Sequence, residues 1–176
     1  MRALALRPVR RADLDALVAL CAEHAAYEGC VYDPTGKAQR LGALLFGEAP
    51  GGFGFVVTQA DRLIGFATWI PQLSTWDAAQ YAHLDWLYLR PEARGRGLGR
   101  RLVACVVQAA TAAGCIRMEW QPPTSNASAI RFYDHLGATS KAKRRFYLAG
   151  DAWQAFHAPP LSFDAARPLD VPLSNA

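Results

Sequence analysis

Patterns that mark membrane, secreted and metal-binding proteins are missing from this sequence. Nowhere do roughly 18 apolar residues run together, so no transmembrane helix is predicted, and the apolar run at the N-terminus is too short for a signal peptide. The four cysteines show no Cys-x-x-Cys spacing, and the four histidines lack the spacing of metal ligands. We therefore expect a cytoplasmic protein with core thiols, without a metal and without membrane contact.

The net charge is small, but the basic residues are unevenly placed. The 176 residues carry a net charge of +4, and 52% of them are hydrophobic, which suits a globular protein with a sizeable core. Much of the basic excess lies in residues 94–101 and 141–145, without the interleaved aromatic residues typical of nucleic-acid binding. We expect these residues to serve an anionic cofactor and not a nucleic acid.

Hydrophobic periodicity predicts the order of strands and helices. Strands are predicted over residues 3–8, 53–60, 63–73, 81–89, 115–121, 142–149 and 153–157. Helices are predicted from residue 13 to near 27, and over 35–46, 98–113 and 126–136. This order indicates a mixed α/β sheet with antiparallel strands first and a βαβ crossover later. We expect one domain over residues 1–157 and a proline-rich tail over 158–176.

A glycine-rich loop separates the fourth predicted strand from the third predicted helix. Backbone N–H groups in such a loop, with the positive end of the following helix, form a cradle for an anion. The residues that would form this cradle are Arg94, Gly95, Arg96, Gly97, Leu98, Gly99 and Arg100.

Three other interpretations of this loop are weaker. A Walker loop requires Lys and then Ser or Thr after its last glycine, but Arg100 and Arg101 follow Gly99. A Rossmann loop opens an early βαβ unit with an acidic residue about 20 residues further on. This loop lies in the middle of the chain, and Glu119 falls slightly beyond that distance. A flexible basic linker is the remaining alternative.

The spacing Arg94-x-x-Gly97-x-Gly99 resembles the acetyl-CoA loop of the GCN5-related N-acetyltransferase family. A second motif of that family, Asn-x-x-Ala-x-x-Phe-Tyr-x-x-x-Gly-Ala, matches residues 126–138 at the expected separation. Over residues 4–157 the chain is most similar to the diamine branch, which comprises spermidine/spermine and thialysine N-acetyltransferases.

The resemblance implies a fold, a cosubstrate and an assembly. The fold would be a mixed, mostly antiparallel sheet of about seven strands, flanked by about four helices and splayed centrally at the acetyl-CoA site. The protein would form a homodimer. The backbone of Leu87, Tyr88 and Leu89 would pair with the pantetheine amides and polarise the acetyl carbonyl. The cofactor-binding residues implied are Leu87, Tyr88, Leu89, Arg94, Gly95, Arg96, Gly97, Leu98, Gly99, Arg100 and Asn126.

The resemblance also implies two catalytic residues. Tyr133 would protonate the leaving thiolate as general acid, although an aromatic residue on an apolar helix face is the simpler interpretation. Asp85 would bind the substrate ammonium and act as general base, directly or through water, although it could be only an exposed strand carboxylate. The substrate-binding residues implied are Tyr27, Glu28, Asp85, Glu119 and Asp151. Trp86 stands where the branch usually has a second acidic residue, which disfavours long polycations.

The function expected is transfer of acetyl from acetyl-CoA to a primary amine of a small molecule. The acceptor would be a diamine, a polyamine or a thialysine-like amino acid. Two alternatives within the same chemistry are a protein N-terminus and an aminoglycoside-type antibiotic. A non-catalytic acyl-CoA sensor is an alternative of another class, but the presence of both Asp85 and Tyr133 argues against it.

Overall fold

Five strands form a single sheet in the computed structural model, which describes residues 4–155. The strands lie in the order β1 to β5, antiparallel from β1 to β4, and β5 runs parallel to β4. Their bounds are β1 Leu4–Pro8, β2 Phe53–Gln59, β3 Arg62–Ser74, β4 Ala79–Leu89 and β5 Met118–Glu119. The antiparallel start and the crossover between β4 and β5 confirm the expected architecture.

Five α-helices accompany the sheet among the described residues. They are α1 Leu14–Tyr27, α2 Lys37–Phe46, α3 Leu98–Ala112, α4 Ala127–His135 and the short α5 Gly150–Gln154. The chain divides into two compact units, one ending at Gly137 and the other beginning at Ala138. The first unit contains the sheet and α1 to α4; the second contains α5. A single domain over residues 1–157 stays a prediction, and the tail 158–176 lies outside the described residues.

Two apolar clusters position the helices of the first unit against the sheet. Trp69, Ala67 and Ile64 of β3 belong to one cluster, to which α3 contributes Leu98, Leu102 and Val106. Phe66 and Leu63 of the same strand belong to the other, to which α1 contributes Leu17 and Leu20. A β-bulge leaves Ile64 as an extra residue on β3 and shifts the alternation of side chains between its two faces, so Ile64 and Ala67 serve one cluster and Leu63 and Phe66 the other. Both helices therefore depend on β3.

The last two predicted strands are wrong in the described chain. Residues 142–149 form no strand, and Trp153 lies in α5 instead of a strand. A strand requires a partner for its backbone hydrogen bonds, and local apolar character does not supply one. The sheet therefore has five strands in place of about seven. The strand predicted over 115–121 is also shorter, because β5 covers only Met118–Glu119.

A β-bulge interrupts the pairing of β3 with β4. Thr68 pairs with Trp86 and Trp69 pairs with Leu84, which leaves Asp85 as the extra residue on β4. A bulge bends its strand and re-aims the side chains beside it. The one predicted catalytic residue on this strand therefore occupies an irregular position.

Candidate active site

The glycine loop has the backbone conformation of an anion cradle. Gly95 and Gly97 have φ values of 70° and 72°, in the left-handed region that only glycine adopts without strain. Gly97 is the N-cap of α3, so the loop leads directly into the positive end of a helix of 15 residues. Successive N–H groups with such alternating conformations create a concave site for a phosphate or another anion.

Gly99 serves a different purpose from the two glycines before it. A Cβ added at Gly99 would lie 3.1 Å from Cζ and 3.2 Å from Cε2 of Phe132, on α4. The glycine loop and the motif at residues 126–138 are therefore in contact. The lack of a side chain at Gly99 lets the first turn of α3 approach α4 this closely.

The Arg94 side chain lies along the protein surface next to the loop. Its Nε donates to the Leu89 carbonyl oxygen at 2.9 Å, and its guanidinium lies 4.6 Å from the ring centroid of Tyr27. It therefore braces the end of β4 against α1. Arg96 and Arg100 are exposed at the loop.

The sheet is splayed where β4 approaches this loop. Within the described chain, β5 pairs with β4 only at Ala82 with Met118 and at His83 with Glu119. Beyond His83, the edge of β4 has no strand partner among the described residues, although Leu87, Tyr88 and Leu89 continue the strand. The predicted central splay is confirmed, and it leaves backbone groups available to an extended ligand.

Helix α4 lies close to both α3 and the end of β5. Phe132 contacts the first turn of α3 at Gly99, and the Tyr133 ring lies 4.8 Å from the ring of Trp120, which directly follows β5. Burial raises the pKa of the Tyr133 hydroxyl to about 12. A hydroxyl with this pKa remains protonated at neutral pH and can act as a proton donor.

A cavity of about 520 Å³ lies between the strands and helices α1 and α2. Its volume is in the range of small-molecule sites. The side chains that give it polar and aromatic character are His24, Tyr32, Lys37, Arg40, Phe66, Thr68, Trp69, Asp85 and Trp86.

The bulge in β4 explains why Asp85 and Trp86 both line this cavity. Consecutive residues of a regular strand face opposite sides of the sheet, whereas these two side chains are both exposed and both face the cavity. The Thr68 hydroxyl donates to Asp85 Oδ2 at the long distance of 3.4 Å. The structure therefore places the predicted Asp85 in a cavity with aromatic walls.

Glu28 and Asn126, which were predicted to bind substrate and cofactor, contact each other. Asn126 Nδ2 donates to Glu28 Oε1 at 2.8 Å, and Asn126 Oδ1 accepts from the Ala129 N–H at 3.0 Å as the N-cap of α4. The Glu28 side chain is only 12% exposed and is not part of the cavity wall. Both residues therefore hold α1 and α4 together, and their predicted ligand contacts stay predictions.

The other predicted substrate residues lie outside the cavity wall. Tyr27 is exposed and packs under Arg94, and Glu119 Oε1 accepts from Arg117 Nε at 2.7 Å. Asp151 lies in the second unit, on α5. Of the predicted acidic residues in the first unit, Asp85 is therefore the one that the structure places in the cavity.

Sequence reasoning missed five polar residues of the cavity: Tyr32, Thr68 and three on helices. His24 is 8% exposed and lies on the same face of α1 as Leu17 and Cys21, seven and three positions before it. That spacing was the available signal. Lys37 and Arg40 of α2 also line the cavity, and their spacing of three places them on one helix face.

Comparison with known proteins places this geometry in a family. The model of the acetyltransferase (GNAT) family matches residues 18–138, which include His24, the glycine loop and Tyr133. The chain belongs to the acetyltransferase (GNAT) family. Two similar proteins are named as N-acetyltransferases, for L-ornithine and for thialysine.

The similar curated proteins are N-acetyltransferases for amino acids. The chain is 34% identical over 92 residues to L-ornithine N5-acetyltransferase NATA1 of Arabidopsis thaliana, covering 52% of this chain and 40% of that protein. It is 35% identical over 81 residues to thialysine N-epsilon-acetyltransferase of Caenorhabditis elegans, covering 46% and 50%. The chain thus spans half the length of these two relatives or less. For the Mus musculus thialysine enzyme, identity is 24% over 157 residues, covering 85% and 92%.

Several solved structures share the fold. An integron cassette protein from V. cholerae has a TM-score of 0.74 and 22% identity, covering 86% of this chain and 96% of that one. The aminoglycoside N-acetyltransferase AAC(6')-Iy in complex with CoA has a TM-score of 0.70 and 18% identity, covering 85% and 96%. At these identities the similarity shows the fold alone.

The described residues contain neither a membrane-spanning helix nor a group of potential metal ligands. None of the helices within residues 4–155 is long and apolar enough to span a bilayer. No group of three or more potential metal ligands occurs in this part of the chain.

Proposed function

We propose that this member of the acetyltransferase (GNAT) family is an N-acetyltransferase that uses acetyl-CoA to acetylate the side-chain amine of a small amino acid. The observation that supports this proposal is that β4 borders both the cavity and the splay of the sheet. The bulge exposes Asp85 and Trp86 to the small-molecule cavity, and the same strand continues to Leu89 with an open edge toward the splay. An acceptor in the cavity and a donor along the strand would therefore meet at residues 85–89.

The residues around the splay fit acetyl-CoA. The open cradle at Gly95 and Gly97 suits a pyrophosphate, and a Cβ at either glycine would meet no atom within 4 Å, so the space above the loop is clear. The edge of β4 at Leu87, Tyr88 and Leu89, which has no strand partner within residues 4–155, suits an extended amide-containing chain. Acetyl-CoA would supply the thioester-activated acetyl group.

We propose catalytic roles for two side chains and one backbone segment. The Asp85 carboxylate binds the substrate ammonium, and Tyr133 donates the proton that the leaving thiolate requires. Backbone N–H groups at residues 87–89 polarise the acetyl carbonyl. The splay supports this division because α4 carries Tyr133 between α3 and the end of β5.

Charges on two walls of the cavity support an amino acid as the acceptor. The strand wall carries the acidic Asp85, and the α2 wall carries Lys37 and Arg40. Ammonium and carboxylate groups of one substrate could each find an opposite charge, whereas a diamine would place a cation near Lys37 and Arg40. The ornithine and thialysine acetyltransferases among the relatives are named for such amino acids.

The test is an acetyl-CoA consumption assay with ornithine, lysine and thialysine, each paired with its decarboxylated diamine. We expect the amino acids to be preferred. Arg40→Gln should raise KM about tenfold for the amino acids and not for the diamines, as expected for one lost charge-assisted hydrogen bond. Arg62→Gln is the matched control, since Arg62 is the first residue of β3 and lies outside the cavity.

Other outcomes of the same panel would identify the alternatives. Consumption only with peptides would indicate an N-terminal acetyltransferase, and consumption only with aminoglycosides an antibiotic-modifying enzyme. Acetyl-CoA binding without consumption for any amine would indicate a sensor. The homodimer and the cytoplasmic location stay predictions.

A further inference from the structure

His24 is buried in the wall of the acceptor cavity among aromatic rings. Its ring stacks on Tyr88 with centroids 5.1 Å apart and an interplanar angle of 21°. The ring of Trp86 meets it edge-on at 4.6 Å and 87°. His24 therefore contacts the strand segment beside the bulge, where the amine and the acetyl group would meet.

The proposed reaction needs a proton acceptor at this place. An alkylamine with a lysine-like pKa is almost fully protonated at neutral pH and cannot attack a thioester until it loses a proton. A carboxylate with the usual aspartate pKa is a poor acceptor for that proton, while an imidazole is much closer in basicity to the amine. A neutral histidine beside the ammonium site therefore suits the step better than Asp85.

We propose that His24 is the general base, with Asp85 as the ammonium-binding residue; this inference rests on the proposed function. An N–H bond of the bound ammonium breaks, and its proton goes to an imidazole nitrogen of His24. The freed lone pair forms the C–N bond to the acetyl carbon, the C–S bond breaks, and the thiolate takes the proton of the Tyr133 hydroxyl. The nitrogen then loses its second proton to solvent, which leaves the neutral amide, and a proton from solvent restores the Tyr133 hydroxyl. The imidazolium later releases its proton to water.

The groups that face His24 support this role. Glu28, the C-cap residue of α1, places its Oε1 3.8 Å from His24 Nε2 and would stabilise the imidazolium formed in the step. Burial lowers the pKa of His24, Glu28 raises it, and the Arg94 guanidinium lowers it, with burial the largest influence. The facing β4 contributes the neutral Tyr88 and Trp86, and Asp85 lines the same cavity. His24 is therefore neutral at pH 7, ready to accept a proton.

The experiment measures kcat at saturating amine and acetyl-CoA as a function of pH. In the unmodified enzyme, kcat should fall on the acid side with an apparent pKa below the usual 6.5 of histidine. His24→Gln should lower kcat about 100-fold or more and remove that acid limb, while the KM for the amine stays nearly unchanged. Asp85→Asn should raise the KM for the amine and retain the limb. His135→Gln is the control, because His135 is exposed on α4 and outside the cavity.

Glu28→Gln tests the same inference without removing the imidazole. The amide oxygen that this substitution introduces can still accept from Asn126 Nδ2, so the helix contact is kept while the negative charge is lost. The acid limb should move to lower pH, because the imidazolium loses its counter-charge. If thermal unfolding shows that His24→Gln does not fold, Glu28→Gln still tests whether His24 is the general base.

Two results would overturn the assignment of His24. One is an acid limb that persists in His24→Gln at an undiminished kcat. The other is a limb that Glu28→Gln leaves unmoved and Asp85→Asn abolishes, which would return the base to Asp85. An unmodified enzyme that acetylates no amine of the panel would instead refute the proposed function itself.

Discussion

Asn126 donates from Nδ2 to Glu28 Oε1 at 2.8 Å, which joins residues 98 positions apart in the sequence. The same side chain caps α4 through its oxygen. None of the residues of α4 is fully buried, and Tyr133 is only partly so, so this helix depends on a few contacts for its place. The pair therefore sets the position of Tyr133 relative to the end of α1.

Replacement of Asn126 by alanine should lower both the stability of the protein and its kcat. Asn126→Ala removes the cap and leaves Glu28 without this donor, so we expect a loss of about 2–3 kcal/mol in unfolding free energy. We also expect kcat to fall about tenfold or more, because α4 loses its alignment. Urea denaturation and steady-state kinetics measure both.

Asn126→Asp is the matched variant. It keeps the capping oxygen but places a second carboxylate against Glu28, which raises the pKa of one of the two carboxyl groups. The variant should therefore be destabilised at pH 7 and recover part of its stability as the pH falls and that carboxyl group becomes protonated. Equal stability of Asn126→Asp and the unmodified protein at pH 7 would show that the pair is unimportant.

Two glycines of the loop should respond differently to alanine. Gly97→Ala forces a Cβ into a left-handed conformation at a cost of about 1–2 kcal/mol and should weaken acetyl-CoA binding. Gly99→Ala places a Cβ 3.1 Å from Phe132 and should mainly lower kcat, because α4 must shift. The double variant Gly99→Ala with Phe132→Leu should recover part of kcat. Calorimetric titration with CoA and steady-state kinetics distinguish the two effects, and identical profiles for both single variants would contradict this division.

Tyr133→Phe should lower kcat by about 100-fold or more while acetyl-CoA affinity and thermal stability stay nearly unchanged. The ring contacts with Trp120 and Phe132, at 4.8 and 5.0 Å, do not involve the hydroxyl oxygen. Because the pKa of Tyr133 is about 12, its ionisation should cause no loss of rate between neutral pH and about pH 10. Tyr81→Phe is the control: its hydroxyl donates to Gln72 outside the cavity, so full activity is expected. An unchanged kcat in Tyr133→Phe would remove Tyr133 from the mechanism.

The Arg7–Asp13 pair should make stability depend on pH. Arg7 Nη1 and Nη2 donate to the two carboxylate oxygens of Asp13 at 2.6 and 2.8 Å, and the Arg10 N–H donates to Oδ2 at 2.7 Å. The hydrogen bonds from Arg7 are the largest cause of a lowered Asp13 pKa. A lowered carboxyl pKa contributes stability above the unfolded value of about 3.9, and this stability is lost as the pH falls through the folded value.

Asp13→Asn should therefore reduce the unfolding free energy by about 2 kcal/mol at pH 7, with a smaller difference from the unmodified protein near pH 3. Asp15→Asn is the control, because Asp15 is exposed in the first turn of α1 and should change stability by only a few tenths of a kcal/mol. Urea denaturation at both pH values measures the difference, and a constant difference would argue against the linkage.

Elements with strong local signals were predicted well. The Gly95 and Gly97 conformations follow from residue type, and α3 has apolar residues at helical spacing against the sheet. The strands predicted over 142–149 and 153–157 were wrong where described, since strand formation requires a partner that local sequence does not name. The short β5 has the same cause: the chain leaves the sheet after Glu119.

Within the candidate site, motif residues could be predicted and cavity residues could not. Tyr133 and the glycines stand in contiguous patterns, so their positions follow from spacing. His24, Lys37 and Arg40 lie on two helices and reach one cavity only after both helices pack on the sheet. Glu28 and Asn126 were each assigned a ligand, but the fold pairs them with each other.

The sequence by itself determined the conformation of the glycine loop and the order of the elements as far as α4, because glycine conformation, helix capping and hydrophobic period act over a few neighbouring residues. Only the tertiary structure decided the acceptor side. The bulge at Asp85 results from the pairing of two strands, and the burial of His24 results from α1 packing against β4. Both depend on contacts between distant residues, which local patterns do not encode.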